Sequence, residues 1–317
     1  LSGLVGSEMC IRDSSNPGYN PNDLMGDSAE DVWANLQEQE GQPLVNHAGA
    51  ETLPPGSIFK IITTAAGLNN GFDPSSTLTG SNVITLPDTV TELTNYANQK
   101  CNGQDAVTLQ TAFALSCNTA FVEMSEQLGA DELRKYAKAF GVGENYDLGV
   151  STSAGTLGDL PDGAATAQSA IGQRDVTMTA LQAAVMAGTV ANKGTRMQPY
   201  LVNRITDAQM KDVRTTKPKK ADQAVNEETA ATLTDLMYAS ERSSWGYDGN
   251  GFASKTGTAE HGEGLAPHVW YVAFDPERDI AVGVVVKNGG NLGESATGGK
   301  VSGPIGRAIL RAYQGEQ

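Results

Sequence analysis

Three short patterns in this chain hold residue types that nucleophilic chemistry needs: Ser57-Ile58-Phe59-Lys60, Ser116-Cys117-Asn118 and Lys255-Thr256-Gly257. A serine hydroxyl is a weak nucleophile until an adjacent base takes its proton. Lysine is such a base only when its amine is neutral. Moving a lysine pKa from about 10.4 to ~7.5 requires about 4 kcal/mol. The positive end of a helix supplies only ~0.3–1 kcal/mol of that. Burial and a second cation must supply the rest. Lys60 is the candidate base and Lys255 the candidate second cation, so the chemistry calls for two lysines. Each pattern alone is weak. A Ser-x-x-Lys arises about once by chance in a chain of this length, and Ser-x-Asn recurs at Ser14-Ser15-Asn16. Order and placement carry the information.

The elements around the patterns give that placement. In "TLPPGSIFKIITTAAGL" (52–68), two prolines and a glycine stop one segment, and an apolar run then closes at "NNG". Ser57 is expected at or just before the first turn of a buried helix, with Lys60 one turn on along the same face. Helical patterns follow at "LQTAFALSCNTAFVEMSEQLG" (109–129), "ADELRKYAKAFG" (130–141), "MTALQAAVMAGTVANKG" (178–194) and "EETAATLTDLMYASE" (227–241). Residues 17–51 read as polar, with an amphipathic segment at "AEDVWANLQEQEG" and an extended "PLVNHAG". Residues 71–105 read as loops with a short strand at "SNVITL", and 141–164 as a Gly/Asp-rich connection. "YLVNRI" reads as a strand, and 207–225 as a solvated basic loop.

The last quarter changes character. "GFASKTGTAE", "HVWYVAFD" and "IAVGVVVKN" are β-branched runs, the latter two joined by the hairpin connection "DPERD"; "PIGRAILRAY" closes as a helix. Sequential strands at hairpin spacing imply an antiparallel sheet. A helical block between early and late strands implies an α+β fold, not a doubly wound one. There is no internal repeat.

Composition sets outer limits. A chain of 317 residues with 39% hydrophobic residues holds one large domain or two ordinary ones. The net charge of −15 argues against a nucleic-acid surface. Spacing leaves open whether Cys101 and Cys117 pair, and Cys10 completes the three cysteines. His47, His261 and His268 lack metal-ligand spacing, so no metal is expected. No run reaches the ~18 apolar residues of a membrane span. The chain begins without Met and reads as a piece of a longer protein. Its "GSEMCIRDS" resembles translated adapter sequence, so residues 1–16 are set aside as a non-native or linker segment and 17–317 taken as the domain.

The ordered trio is the signature of serine penicillin-recognising acyl transferases. "YNPND", "PLVNHAG", "LPPGSIFKIITTAAGL", "SCNTAFVEM", "AIGQRDVTMTALQAAVMAGTVANKG", "SKTGTAE" and "WYVAFDP" extend the resemblance over residues 17–317. Together they resemble a class B penicillin-binding protein transpeptidase domain of the actinobacterial elongation or division type. The resemblance implies a serine β-lactamase/transpeptidase-like fold, with an antiparallel sheet and an all-helical subdomain. It implies a peptidoglycan D,D-transpeptidase, a serine-type acyltransferase inhibited by β-lactams and needing no cofactor. Ser57 would attack a D-Ala–D-Ala bond and Lys60 would take its proton. Ser116 would relay a proton to the departing amine, and Asn118 would hold Lys60 and the substrate amide. Thr256 and Thr258 would meet the substrate carboxylate, with Gly257 between them and Lys255 supplying positive potential. The backbone N–H groups of Ser57 and Thr258 would form the oxyanion hole. Lys255–Thr258 on an edge strand would let substrate add as a further strand. Also implied are a membrane anchor and a pedestal domain, both absent here, an extracytoplasmic location at the cell membrane, and a cell-wall glycosyltransferase partner.

Alternatives on the same fold are a β-lactamase, a β-lactam sensor and a D,D-carboxypeptidase. The Glu-x-x-Leu-Asn deacylation pattern is missing; "ELTN" at Glu92–Asn95 has the wrong spacing. Cys117 reads as a small packing residue, and Gln173 as helix packing or capping more than substrate contact. Trp270 and Tyr271 read as sheet core or cleft wall. His261 reads as an exposed loop residue, with a cleft wall as the alternative.

Overall fold

The computed structural model describes residues 2–5, 9–262 and 264–315. Its frame is an antiparallel five-stranded sheet of β1 (Ser2–Val5), β2 (Arg12–Ser14), β11 (Ala253–Ala259), β12 (His268–Asp275) and β13 (Ile280–Val286). The order is β11-β12-β13-β1-β2, so the strand bearing Lys255-Thr256-Gly257 lies at an edge, as expected. β12 and β13 are buried on both faces, which explains their unbroken apolar runs. Side-chain alternation splits them. Trp270, Val272 and Phe274 face the main core, while Tyr271, Ala273, Val282 and Val284 face α9 (Ser302–Gly315) through Leu310.

Residues 1–16, set aside on sequence grounds, contribute β1 and β2 to this sheet. Met9 and Ile11 are buried against Tyr146, Leu181 and Val185. Residues 6–8 of "GSEMCIRDS" lie outside the described residues.

Helices fill the space between the early and late strands, as the α+β reading requires. Ser57 sits in a 3-10 turn, Gly56–Phe59, that runs directly into α3 (Lys60–Leu68). Ile58, Phe59, Ile61, Ile62, Ala65 and Ala66 of this segment are all fully buried. α4 (Leu109–Leu115) ends at Ser116, and α5 (Asn118–Ala139) restarts two residues later. Gly129 has φ 74 and ψ 172, so the two predicted helices are one kinked element. α7 (Ala180–Ala191) carries a Thr179/Gln182 capping box and packs on β13. α8 (Glu227–Ser243) packs on β11.

Elsewhere the sequence reading needs correction. "AEDVWANLQEQEG" does form a helix, α1 (Ala29–Glu38), but the expected extended "PLVNHAG" ends in the short helix α2 (His47–Ala50). Asn46 caps it through Ala48 and Gly49 N–H, a local bond that outweighs the strand-like composition. The connection 141–164 leads into α6 (Gly163–Ala170), whose small residues gave no periodic signal; Asp162 caps it. Only β8 (Arg204–Thr206) of "YLVNRI" is a strand. It pairs with β9 (Asp212–Thr215), while β7 (Thr195–Met197) pairs with β10 (Lys220–Gln223). The stretch read as a solvated loop thus holds two strands, both largely exposed. Upstream, β4 (Val83–Thr85) falls within "SNVITL" and pairs with β5 (Glu92–Thr94), and β3 (Thr77–Thr79) pairs with β6 (Ala106–Thr108).

One buried ion pair ties four elements behind the edge strand. Arg307 Nε of α9 donates to Glu241 Oε1 of α8 at 2.6 Å, with both side chains nearly inaccessible. Glu241 also accepts from Ser254 Oγ of β11, Tyr271 Oη of β12 and Asn250 Nδ2. Removing one member of a buried pair strands the other's charge, at ~3–5 kcal/mol. Glu241→Ala should lose about that much stability in urea unfolding; a loss below ~1 kcal/mol would show that water reaches Arg307.

Candidate active site

The three patterns converge on one cleft of about 490 Å³. Ser57, Ser116, Asn118, Thr256 and Thr258 line it, while Lys60 and Lys255 lie fully buried behind it. Two glycines set the spacing between the Ser57 turn and β11. A Cβ at Gly257 would lie 2.7 Å from Pro55 O and 3.2 Å from Ile58 N. Gly56 has φ +53, and a Cβ there would lie 2.8 Å from Thr258 O. Side chains at either position would push the strand away from the serine. Trp270 closes the joint from below, its Nε1–H donating to Pro54 O at 2.8 Å. It is sheet core, as is Tyr271.

Ser116 occupies the break between α4 and α5, in the left-handed conformation with φ 61 and ψ 38. This turn aims both its carbonyl and its hydroxyl at the lysines. Lys60 Nζ donates to Ser116 O and Asn118 Oδ1, each at 2.7 Å, and lies 3.4 Å from Ser116 Oγ. Lys255 Nζ donates to the same Oγ at 2.9 Å and to Thr256 O at 3.0 Å. Asn118 is oriented from its other end by Nδ2–H donating to Thr94 O at 3.1 Å. Phe121 and Phe113 lie 5.2 and 5.8 Å from the two amines.

Ser57 Oγ makes no hydrogen bond with Lys60 Nζ, which departs from the expected side-by-side pair. The amine turns instead to a carbonyl and an amide oxygen, both strong acceptors, across the α4–α5 break. A neutral amine has two N–H bonds. Both are used by the 2.7 Å partners, which leaves the lone pair for a hydroxyl. Burial and then the charge of Lys255 hold the Lys60 pKa well below that of a free lysine. Burial brings Lys255 down to about 7.

Residues outside the three patterns complete the walls. Glu92, Leu93, Thr94 and Tyr96 come from β5 and the turn after it, Gln173 from the turn after α6, Glu260 from the end of β11 and Thr297 from the loop before α9. Gln173 therefore lines the cleft, against the packing role read from sequence. No spacing rule points to the β5 residues; they arrive through the β4–β5 hairpin. Cys117 is bonded to Cys101, not merely packed. That bond ties the α4–α5 break to the Cys101–Gly103 turn. His261 lies outside the cleft: its ring stacks on His268 at 3.9 Å, and its Nε2–H reaches Ala266 O. Packing inside the hairpin explains its position.

A serine at a helix start, a buried lysine pair with one member on an edge strand, and a second serine between the two amines are the arrangement expected of the penicillin-recognising class. Residues 13–311 match the penicillin binding protein transpeptidase domain family, and the chain belongs to it. It is a class B transpeptidase domain of the actinobacterial type, with the serine β-lactamase/transpeptidase-like fold. The chain is 44% identical over 312 residues to the peptidoglycan D,D-transpeptidase PbpA of Mycolicibacterium smegmatis, covering 94% of this chain and 63% of that protein. It is 41% identical to PbpA of Mycobacterium tuberculosis, covering 95% and 64%. The structure of M. tuberculosis penicillin-binding protein A as its penicillin G acyl-enzyme superposes with a TM-score of 0.94 at 39% identity, covering 99% of this chain and 74% of that one. The chain thus spans less than two thirds of the length of these curated relatives.

The lysine pair makes stability depend on pH. An unfolded lysine keeps its proton to about pH 10.4; folded Lys255 gives it up near 7. Between those values the unfolded chain binds more protons, so stability rises with pH, and Lys60 acts in the same direction. Above ~10 the buried tyrosines, with Tyr146 pushed up to about 12, reverse the trend. Urea unfolding between pH 7 and 10 should show the rise, and Lys255→Met should make it shallower, leaving the share of Lys60. Equal slopes would mean that Lys255 is charged in the fold.

Proposed function

We propose that this chain is the catalytic domain of a peptidoglycan D,D-transpeptidase that works through a Ser57 acyl-enzyme. The observation that carries this reading is the buried Lys60–Ser116–Lys255 relay behind a cleft-facing Ser57. Ser57 Oγ attacks the carbonyl of a D-Ala–D-Ala bond while the neutral amine of Lys60 takes its proton. The oxygen that gains charge sits between the backbone N–H groups of Ser57 and Thr258. One such donor is typically worth ~10²–10³ in rate. Thr256 and Thr258 meet the terminal carboxylate, under the positive potential of Lys255. The proton passes from Lys60 through Ser116 to the leaving D-Ala nitrogen. An acceptor amine then attacks the ester, returns its proton along the same route and frees Ser57 with a new peptide cross-link. A β-lactam opens at Ser57 in the same way, but its leaving group stays tethered, so the adduct persists.

The same reading extends to location. Disulfides persist in oxidising compartments, so Cys101–Cys117 fits a domain on the outer side of the cell membrane. Among the described residues no helix is long and apolar enough to cross a membrane. We place the anchor, and contacts with a cell-wall glycosyltransferase, on parts of the longer protein outside this chain.

A fluorescent penicillin tests the reading. Labelling should be stoichiometric, last for hours and vanish in Ser57→Ala. Turnover within seconds would make the chain a β-lactamase, and labelling of Ser57→Ala would place the nucleophile elsewhere. The acid limb of the acylation rate should move to higher pH in Lys255→Met, because Lys60 then loses its cationic neighbour. A limb that stays in place would free Lys255 from that role.

A further inference from the structure

The amide of Asn118 is held at both ends. Its Nδ2–H donates to Thr94 O at 3.1 Å, and its Oδ1 accepts from Lys60 Nζ at 2.7 Å. Two separate segments must therefore stay in register: the end of β5, which carries Thr94, and the first turn of α5, which carries Asn118. The first turn of a helix leaves backbone N–H groups without intrahelical partners. A cap side chain normally accepts from one of them. Cys117 occupies the cap position of α5, but its sulfur is bonded to Cys101 and it makes no cap hydrogen bond.

An acceptor arrives from the segment "ELTN". Asn95 Oδ1 accepts from Thr119 N–H at 3.0 Å, across 24 residues of sequence. Asn95 Nδ2 faces Ser81 O at 2.9 Å, Thr119 Oγ1 at 3.1 Å and Gln99 O at 3.2 Å. Its backbone N–H donates to Asn82 O at 3.0 Å, and Thr119 Oγ1–H donates to Ser81 O at 2.8 Å. Both Asn95 and Thr119 are buried. Thr94 and Tyr96 line the cleft, while Asn95 between them turns inward. One side chain thus joins the β3–β4 turn, the turn after β5 and the start of α5. The cluster needs an acceptor for Thr119 N–H and donors for backbone carbonyls, and a side-chain amide carries both.

We propose that Asn95 is a positioning residue for acylation of Ser57, serving α5 as a cap supplied from outside the helix. It follows Thr94 in the chain and bonds the residue after Asn118, so it sets both supports of the Asn118 amide. Through that amide it aims the amine of Lys60. The inference rests on the Ser57 acyl-enzyme reading.

The test is the rate of Ser57 acylation by fluorescent penicillin in the 317-residue chain, with the final labelling stoichiometry read from the same time course. Asn95→Ala should reach the parent's stoichiometry about tenfold more slowly, the scale of a buried hydrogen-bonding group left without its partner. Asn95→Ser, which leaves a small polar group and room for water in the buried site, should keep the fold and show the same slowing. Thr119→Val disturbs the same cluster but keeps the backbone N–H, and should stay within about twofold of the parent. Asn118→Ala removes the group through which Asn95 acts, so adding Asn95→Ala to it should slow acylation by less than about twofold more. A merely structural role would lower the stoichiometry of both Asn95 variants and leave the rate of the labelled fraction unchanged. It would also slow Asn118→Ala by the same factor as the parent. Either result would overturn the assignment, as would a Thr119→Val rate as low as that of Asn95→Ala. A parent that labels, with both Asn95 variants at its rate, sinks this inference alone. A parent that does not label sinks the acyl-enzyme reading and this assignment with it.

Discussion

Two amines buried around one hydroxyl set the terms for the rest of this molecule. Lys60 and Lys255 both reach Ser116 Oγ from positions closed to solvent. Two ammonium ions in such a place would each lose hydration and repel the other, so one amine is driven to the neutral form. That form is the one a serine needs beside it. The phenyl rings of Phe113 and Phe121 keep the site dry and still tolerate the remaining positive charge.

The architecture can be understood as what holds this arrangement. Ser116 must project a carbonyl and a hydroxyl in nearly the same direction, which no helical residue does. The chain therefore breaks between α4 and α5, and the break is pinned by the Cys101–Cys117 bond. Lys255 must approach from a strand whose outer edge is free, which places β11 at the end of the sheet. That edge is then fixed from behind by the Glu241–Arg307 pair and against the Ser57 turn by two glycines. Buried ion pairs rarely add net stability over apolar packing. This one connects β11 to two helices and the neighbouring strand, so registration of the catalytic strand is a fitting role for it.

Much of this was legible in the sequence. Ser57, Lys60, Ser116, Asn118 and Lys255 stand in patterns that are weak singly but informative in their order and placement, and the apolar runs of α3, α7, β12 and β13 are plain. What stayed hidden depends on long-range contacts. Lys60 chooses Ser116 O over Ser57 because of where the α4–α5 break falls. Glu92 and Tyr96 reach the cleft through a three-residue pairing in a polar region, and Gln173 through a turn after a helix too short to announce itself. The disulfide was open for a similar reason: sequence separation says nothing of whether two Cα atoms meet at 5.7 Å. α2 was missed because a cap, not a period, defines it.

The protonation state of Lys60 is the most direct point of attack on this account. NMR titration of isotope-labelled lysine side chains, with Lys60 assigned by its loss in Lys60→Arg, reads that state without relying on any reaction. We expect an amine that titrates well below the ~10.4 of a free lysine and shifts upward once Lys255 is replaced by methionine. An Lys60 amine that titrates near 10.4, unmoved by that replacement, would contradict it.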